Sequence, residues 1–494
     1  MSQLFVAIDL GEEAGRVMLG TLHKGSLRLS DILQFDNVPA REKDAVLWDV
    51  ASLYQATITG LREVGAYLEP IDGISCTGWD ADYLLFHADA SFIEPTFSYA
   101  SGRTLAGRKE VLRRLSLEEI YEETGVADSN KSTLFQLGVE NARQLKRADH
   151  LMPVADGFNF LLSGAPCVEW SSASATQLFN PTSKQWSQHL LHTLNLPAKV
   201  FPAVVDPGTC LKPLRPEIAE ATGLEGAQII ATCSNNLAAA LASLPVSEAE
   251  NWAFIKLGRN ATIGAAVPEP IIGAASREAN LSHLLGADGA IYAHTQTVGL
   301  SVLEECRQYW AATDHSIDDA SLAHLAATAQ PLVSLVNLAD PHFAGPGDII
   351  TKVQNYCRDT RQISPRRPGA IYRCLMESLA FLYRRTLDDI ARATGREFTR
   401  VFLIGDSKDN ILHHFIANAL QMPLTTAPAH AAALGNVLLQ ARTLNCIESR
   451  QEAEAIVQGS FKFGTINPHP EKTWAPVYQR YQRVTAVQLA EAMA

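Results

Sequence analysis

Apolar positions along this chain keep two rhythms. Short runs in LFVAID at 4–9, RVMLGTL at 16–22, IDGISC at 71–76 and YLLFHA at 83–88 predict strands. Apolar residues three and four apart in VASLYQATITGLREVGAYL at 50–68 and SLEEIYEETG at 116–125 predict amphipathic helices. The second half follows the same grammar: a helix over 299–311, a long helix over 369–395 ending in glycine, a buried strand VFLIG at 401–405, and helices over 411–420 and 433–441. Gly435 in the last of these is expected against a neighbour. Strands alternating with helices predict an α/β fold. One pattern occurs twice. FVAIDLGEEAGRVMLG at 5–20 and WAFIKLGRNATIGAAV at 252–267 each run apolar to a Leu-Gly pair, turn through polar residues and resume apolar, as a β-hairpin does. The repeat predicts two similarly built halves facing each other across a cleft.

The polar, turn-forming segment SLPVSEAEN at 243–251 places the boundary, giving domains over 1–245 and 246–494. A composition of 47% hydrophobic and 19% charged residues fits a globular chain without disordered tracts. The longest apolar stretches, such as FNFLLSGA at 158–165, fall well short of a membrane span, and no basic-then-apolar leader opens the chain, so the expected location is cytoplasmic. Eight scattered cysteines, without a C-x-x-C pair or a nearby His cluster, read as reduced thiols. With a net charge of −12 and only brief basic runs, SPRRPG and LYRRT, nucleic acid is not an expected partner. His413 and His414 lie off the apolar stripe of their helix. Neighbours on a helix diverge by about 100°, so the pair reads as a solvated face rather than a metal site.

From end to end the chain resembles the FGGY carbohydrate kinases, and among them the rhamnulokinases. The matching segments are DLGEEAGRVMLG at 9–20, LWDV at 47–50, WDADYLLF at 79–86, YASGRT at 99–104, STLFQL at 132–137 and LMPVADGFNFLLSG at 151–164, followed by TQLFNPTSKQW at 176–186, CSNNLAAAL at 233–241, LGRNATIGA at 257–265, VGLSVLEE at 298–305 and ALGNVLLQ at 433–440. The resemblance implies two actin-like domains of the ribonuclease H-like, sugar kinase/Hsp70/actin type. It also implies ATP-dependent phosphorylation of the primary hydroxyl of a ketose. Such chemistry needs positioning, charge neutralisation and a base for the attacking hydroxyl.

Several family positions have changed. The family's S-H-D-T, whose Asp takes the proton of the sugar hydroxyl, is here Ser234-Asn235-Asn236-Leu237. An amide cannot take that proton, and a positioned base is worth about 10²–10⁴-fold. In the phosphate turn, the family's small hydroxyl residues become Gly11-Glu12-Glu13-Ala14-Gly15-Arg16, beside Asp9, the family's metal-holding acid. Glu12 and Glu13 either face the cleft and repel phosphate or turn to solvent, which removes only the hydroxyl contacts. The second turn, S-G-T in the family, is Leu257-Gly258-Arg259, whose cation would grip a phosphate or neutralise Glu12 or Glu13. The adenine loop G-G-G-x-Q-N becomes Ile404-Gly405-Asp406-Ser407-Lys408-Asp409, with side chains where two glycines stood. The resemblance also assigns Gln296 and Glu304 to the nucleotide. On the sugar side, W-G-V-D-Y becomes Trp79-Asp80-Ala81-Asp82-Tyr83, and Asp156 sits where the family has an acid after L-M-P. Asp82 either caps a loop or meets a sugar hydroxyl, as Asp80 and Asn235 are also expected to do. Trp79 either packs a wall or stacks on sugar.

Loss of the base, of both phosphate turns and of the adenine loop within a legible frame implies a pseudokinase that binds a sugar or a protein partner. Two other readings stay open: an active ketose kinase of altered site, with Asp80 as base, and a partner-binding module without a ligand. ATP and Mg²⁺ are cofactors only of the active form. The expected partners are a sugar, another protein or further copies of the chain.

Overall fold

The computed structural model describes the chain apart from residues 1, 44, 68, 141, 247–249, 345–346, 406–409, 470–473 and 493–494. The side chains of residue 142 and of residues 487–492 are likewise outside the description. The predicted residue Asp406 and its neighbours 407–409 therefore lie outside the described residues.

Packing divides the chain into two compact units. The first comprises Met1–Glu248, Ala266–Ala293 and His430–Lys462; the second comprises Ala249–Ala265, His294–Ala429 and Phe463–Ala494. The first crossing falls within the polar segment 243–251 that the sequence marks. The later crossings carry no composition change, and the chain returns to the first unit twice.

The first unit is built on a six-stranded sheet in the order Thr209–Pro213, Gln228–Ala231, Gly73–Gly78, Gln3–Leu10, Ala14–His23, Ser26–Asp36. Gln3–Leu10 is central. It pairs antiparallel with Ala14–His23, closing the predicted hairpin with Asp9 opposite Arg16, and parallel with Gly73–Gly78, where Asp9 stands opposite Thr77. Alternation sends Leu4, Val6, Ile8, Leu10, Val17 and Leu19 to one face, in one core with the helix Val50–Gly65, whose Gly60 packs on Val17. The other face is covered by Ala431–Thr443. Gly20 fits under Val437 there, and Gly435 lets this helix meet Asn236–Ala242 so closely that a Cβ would lie 1.8 Å from Ala239 O. Asn436 and Gln440, both buried, bond to the carbonyls of Ser75 and Val6, so the C-terminal helix is tied to the strands that carry the site.

In the second unit the hairpin Trp252–Lys256 and Asn260–Val267 continues into Arg400–Ile404, Leu424–Thr426 and Gly464–Ile466, with Ile291–Val298 on its other side. The long helix Pro368–Thr394 starts on a proline and stops at Gly395, whose φ of 65° is cheap only for glycine. Its Phe381 stacks on Tyr478 and Tyr481 of the helix Trp474–Ala492. His413 and His414 are half-buried and exposed respectively. Among the described residues no His, Cys, Asp and Glu group is placed to hold a metal, all eight cysteines are free, and no helix is long and apolar enough to cross a membrane.

Candidate active site

The first hairpin ends in a tight turn. Gly11 N–H donates to Ala14 O at 3.0 Å, and buried Asn37 holds the turn from below, its amide donating to Gly11 O at 2.7 Å and its backbone N–H to Glu13 O at 3.0 Å. A Cβ on Gly11 would meet Ala14 O at 2.6 Å, which explains the glycine. Asp9, half-buried at the strand end, accepts from Thr77 Oγ1 at 3.4 Å. Glu12 and Glu13 are both exposed, yet Glu12 is engaged: the Tyr99 hydroxyl donates to its Oε2 at 2.9 Å.

Tyr99 belongs to a wall organised by Asp82. This carboxylate is 1% exposed and accepts four protein donors: Trp48 Nε1 at 2.6 Å, Trp79 Nε1 at 3.0 Å, Tyr99 N at 2.7 Å and Gln136 Nε2 at 3.0 Å. Burial pushes the Asp82 carboxyl up to about 7, while the donors pull it the other way. None of its partners offers an acceptor for an acid proton, so the ionised form is the one this arrangement holds. These four bonds are the protein contacts of the Asp82 oxygens. Trp79 is buried with its ring centroid 4.7 Å from that of Trp48, so it packs the wall. Between the two acids, Ala81 adopts φ 76°, a strained value for a residue with a Cβ, and its carbonyl is held by Thr133 Oγ1 at 2.7 Å and Gln136 Nε2 at 2.8 Å. That turn leaves Asp80 exposed at the rim of the wall. The Lys131 ammonium sits 4.6 Å from the Tyr99 ring centroid, a cation–π contact.

The loop Ser234-Asn235-Asn236 comes to the same strand ends. Gly78 N–H donates to Ser234 O at 2.9 Å, and Asn236 Nδ2 donates to Leu10 O at 3.2 Å, so Asn236 stands beside Asp9 and the phosphate turn. The Oδ1 of Asn236 is buried without a hydrogen-bond partner. Asn235 is the N-cap of the helix Asn236–Ala242, its Oδ1 accepting from Leu237 N at 2.9 Å and Ala238 N at 3.3 Å. Its side-chain oxygen is thus committed to the helix rather than offered to a sugar. Gly15 and Arg16 lie on the returning strand. Gly15 is packed so tightly that a Cβ would overlap the Phe35 ring at 2.2 Å.

The remaining predicted residues belong to the second unit. Gly258 turns the second hairpin, with its carbonyl accepting from Leu300 N at 2.7 Å and that of exposed Arg259 from Ser301 N at 3.2 Å. Gly405, at φ 95°, packs on Leu257 O, to which a Cβ would lie 2.7 Å away. Glu304 follows on the helix Ser301–Thr313, where its carboxylate accepts from Arg307 Nε at 3.2 Å and Gln308 Nε2 at 3.1 Å. Gln296 is exposed on the strand Ile291–Val298.

Sequence reasoning assigns no role to Trp48, Tyr99, Gln136 or Glu169. The first three lie in quoted segments, LWDV, YASGRT and STLFQL, but nothing in a linear reading says that all three converge on Asp82.

Family models for the N-terminal and C-terminal domains of the FGGY family of carbohydrate kinases match residues 4–242 and 253–444. The chain belongs to the FGGY family of carbohydrate kinases. It is 30% identical to a rhamnulokinase of Bacteroides thetaiotaomicron, covering 98% of this chain and 99% of that one. It is 29% identical to a rhamnulokinase of Enterococcus faecalis, covering 97% of each. Among solved structures, a ligand-bound xylulose kinase from Lactobacillus acidophilus superposes with a TM-score of 0.82 at 14% identity, covering 99% of each chain. A glycerol kinase of Plasmodium falciparum with ADP gives 0.80 at 12% identity, covering 100% of this chain and 98% of that one. At these identities the solved structures establish the fold: two α/β domains of the actin-like, sugar kinase type.

Proposed function

We propose that this FGGY protein is a rhamnulokinase-like pseudokinase: it keeps the sugar-side frame, binds a sugar or a protein partner, and has lost efficient phosphoryl transfer. The observation that carries this reading is the bond from Asn236 Nδ2 to Leu10 O at 3.2 Å. The amide at the base position is a donor to a backbone carbonyl. A carboxylate cannot make that bond, so the surroundings of residue 236 suit the amide and not the acid.

The phosphate turn supports the same reading. Its Gly11 N–H is spent on Ala14 O and its two side chains are carboxylates, one of them held in place by Tyr99. A carboxylate about 4 Å from a phosphate oxygen costs on the order of 4 kcal/mol at an effective dielectric of 20. The two carboxylates of the turn do not fit the phosphates of a nucleotide, and Asp9, the carboxylate that would hold Mg²⁺, needs those phosphates to complete the metal's shell.

Titration calorimetry with a panel of ketoses and with Mg²⁺–ATP tests the proposal. We expect sugar binding with ATP binding weaker than millimolar. Micromolar ATP affinity, about −8 kcal/mol, would overturn it. No heat with any sugar would favour the partner-binding role.

A further inference from the structure

Beneath the Ser234–Asn236 loop lies a pair of acids, Asp156 of the L-M-P segment and Glu169, which lies outside every motif quoted above. Asp156, on the helix Val154–Ser163, is 1% exposed, and Glu169, at the end of the strand Cys167–Glu169, is 0% exposed. Asp156 Oδ1 accepts from Glu169 N at 3.1 Å and from Ser234 Oγ at 2.7 Å. Glu169 accepts from Ser171 N at 2.9 Å on Oε1 and from Ser234 N at 2.8 Å on Oε2, where the Ser171 hydroxyl also bonds. Ser171 Oγ in turn accepts from Asn235 N at 3.0 Å. Both N–H groups leading into residue 236 therefore end on this cluster.

A count of hydrogens says where the acid proton is. The Ser171 hydroxyl has one acceptor, Glu169 Oε2, so it donates there and that oxygen carries no proton. With Ser171 N and Ser234 N, Glu169 receives three donors, as an ionised carboxylate should. Ser172 differs. Its single hydroxyl hydrogen faces two oxygens, Asp156 Oδ2 and Glu169 O, the latter at 3.0 Å. Each contact becomes a full two-centre hydrogen bond when Asp156 Oδ2 carries a proton, giving it to Ser172 Oγ while Ser172 donates to Glu169 O; without that proton the two oxygens share one hydrogen. The titratable groups facing the pair are the thiols of Cys76, Cys167 and Cys233, which burial and the two carboxyls push up. No cation is among the groups that shift either acid, and two unscreened carboxylates side by side hold one proton between them.

We propose that Asp156 and Glu169 are positioning residues for the loop that carries residue 236, with one proton held on Asp156 Oδ2 and Glu169 ionised. The clamp does not depend on whether residue 236 performs chemistry, so its test does not use turnover.

The two acids then differ in what can replace them. Asp156→Asn places its amide N–H where the acid proton was and keeps Oδ1 as acceptor for Glu169 N and Ser234. Glu169→Gln puts an amide N–H against a backbone N–H in either orientation, Ser171 N on one side and Ser234 N on the other. In the full chain at pH 7, Asp156→Asn should melt within about 3 °C of wild type and keep amide-exchange protection at 234–236. Glu169→Gln should melt lower by about 5 °C or more and lose that protection, or fail to fold. Infrared spectra of wild type labelled with ¹³C-aspartate should show a protonated side-chain carboxyl band that Asp156→Asn removes. A reversed order of tolerance, equal damage from both variants, or absence of that band would overturn the assignment.

Discussion

Asp82 and Asp156 are each 1% exposed, but asparagine in their places has opposite consequences. Around Asp82 all four partners are N–H donors, so an amide must turn two of its own hydrogens toward two of them. Asp82→Asn should therefore cost about 2–4 kcal/mol of stability, read as a drop in the urea midpoint. At Asp156 only Oδ2 need become an amide nitrogen, and it faces the Ser172 hydroxyl, which can donate or accept, while Oδ1 still accepts from Glu169 N and Ser234 Oγ; Asp156→Asn should therefore be tolerated. At Asn236 the argument runs the other way. Asn236→Asp loses the bond to Leu10 O and faces that carbonyl with a charge, for about 1–2 kcal/mol of destabilisation in the same assay. It restores the base without restoring the phosphate turn, so turnover should stay at least ~10²-fold below ordinary kinase rates. That residue 236 is an amide was legible in the sequence, where the resemblance leads one to expect an acid. The partners were not: Tyr99 reaches Glu12 from 87 residues away.

At the scale of elements, the Ser234–Asn236 loop is bonded to the acids below it and to Ser171. Burial pushes Asp156 up to about 6 and Glu169 up to about 8; these values belong to the coupled pair, so the step near 8 releases the one shared proton, which the hydrogen-bond geometry rather than the higher value assigns to Asp156 Oδ2. Both values lie above those of the unfolded chain, so between about pH 4 and 8 the folded form binds more protons. Stability from the pair is then present at low pH and lost as pH rises through about 8. Between pH 6 and 9 wild type should lose on the order of 2 kcal/mol relative to Asp156→Asn in chemical denaturation. Parallel profiles would contradict this. The two hairpins and the long helix ending at Gly395 were readable from period and glycine. So was the close approach of Gly435, where a Cβ 1.8 Å from Ala239 O makes Gly435→Ala cost about 2 kcal/mol or more in thermal melts. The helix Trp474–Ala492 was missed. Its buried positions 474, 478 and 481 do follow a helical spacing, but Gln and Arg between them dilute the signal.

Across the whole molecule, two halves opening on the same hairpin were visible from the repeat, and the family from motifs spread over the full length. What linear reading did not give is the path of the chain. Residues 266–293 and 430–462 return to the first unit, and the pattern of a helix is the same whichever sheet it covers. The return places Asn436 and Gln440 under the strands that end at Leu10 and Gly78, so the C-terminal half of the sequence helps to hold the candidate site of the first unit. We propose that this frame no longer transfers phosphate efficiently. The most direct test is steady-state phosphorylation of L-rhamnulose, L-fuculose and D-xylulose by the purified full chain with Mg²⁺–ATP. The account predicts turnover at least ~10²-fold below the roughly 1–100 s⁻¹ of ordinary kinases, and turnover within that range on any of the three would contradict it.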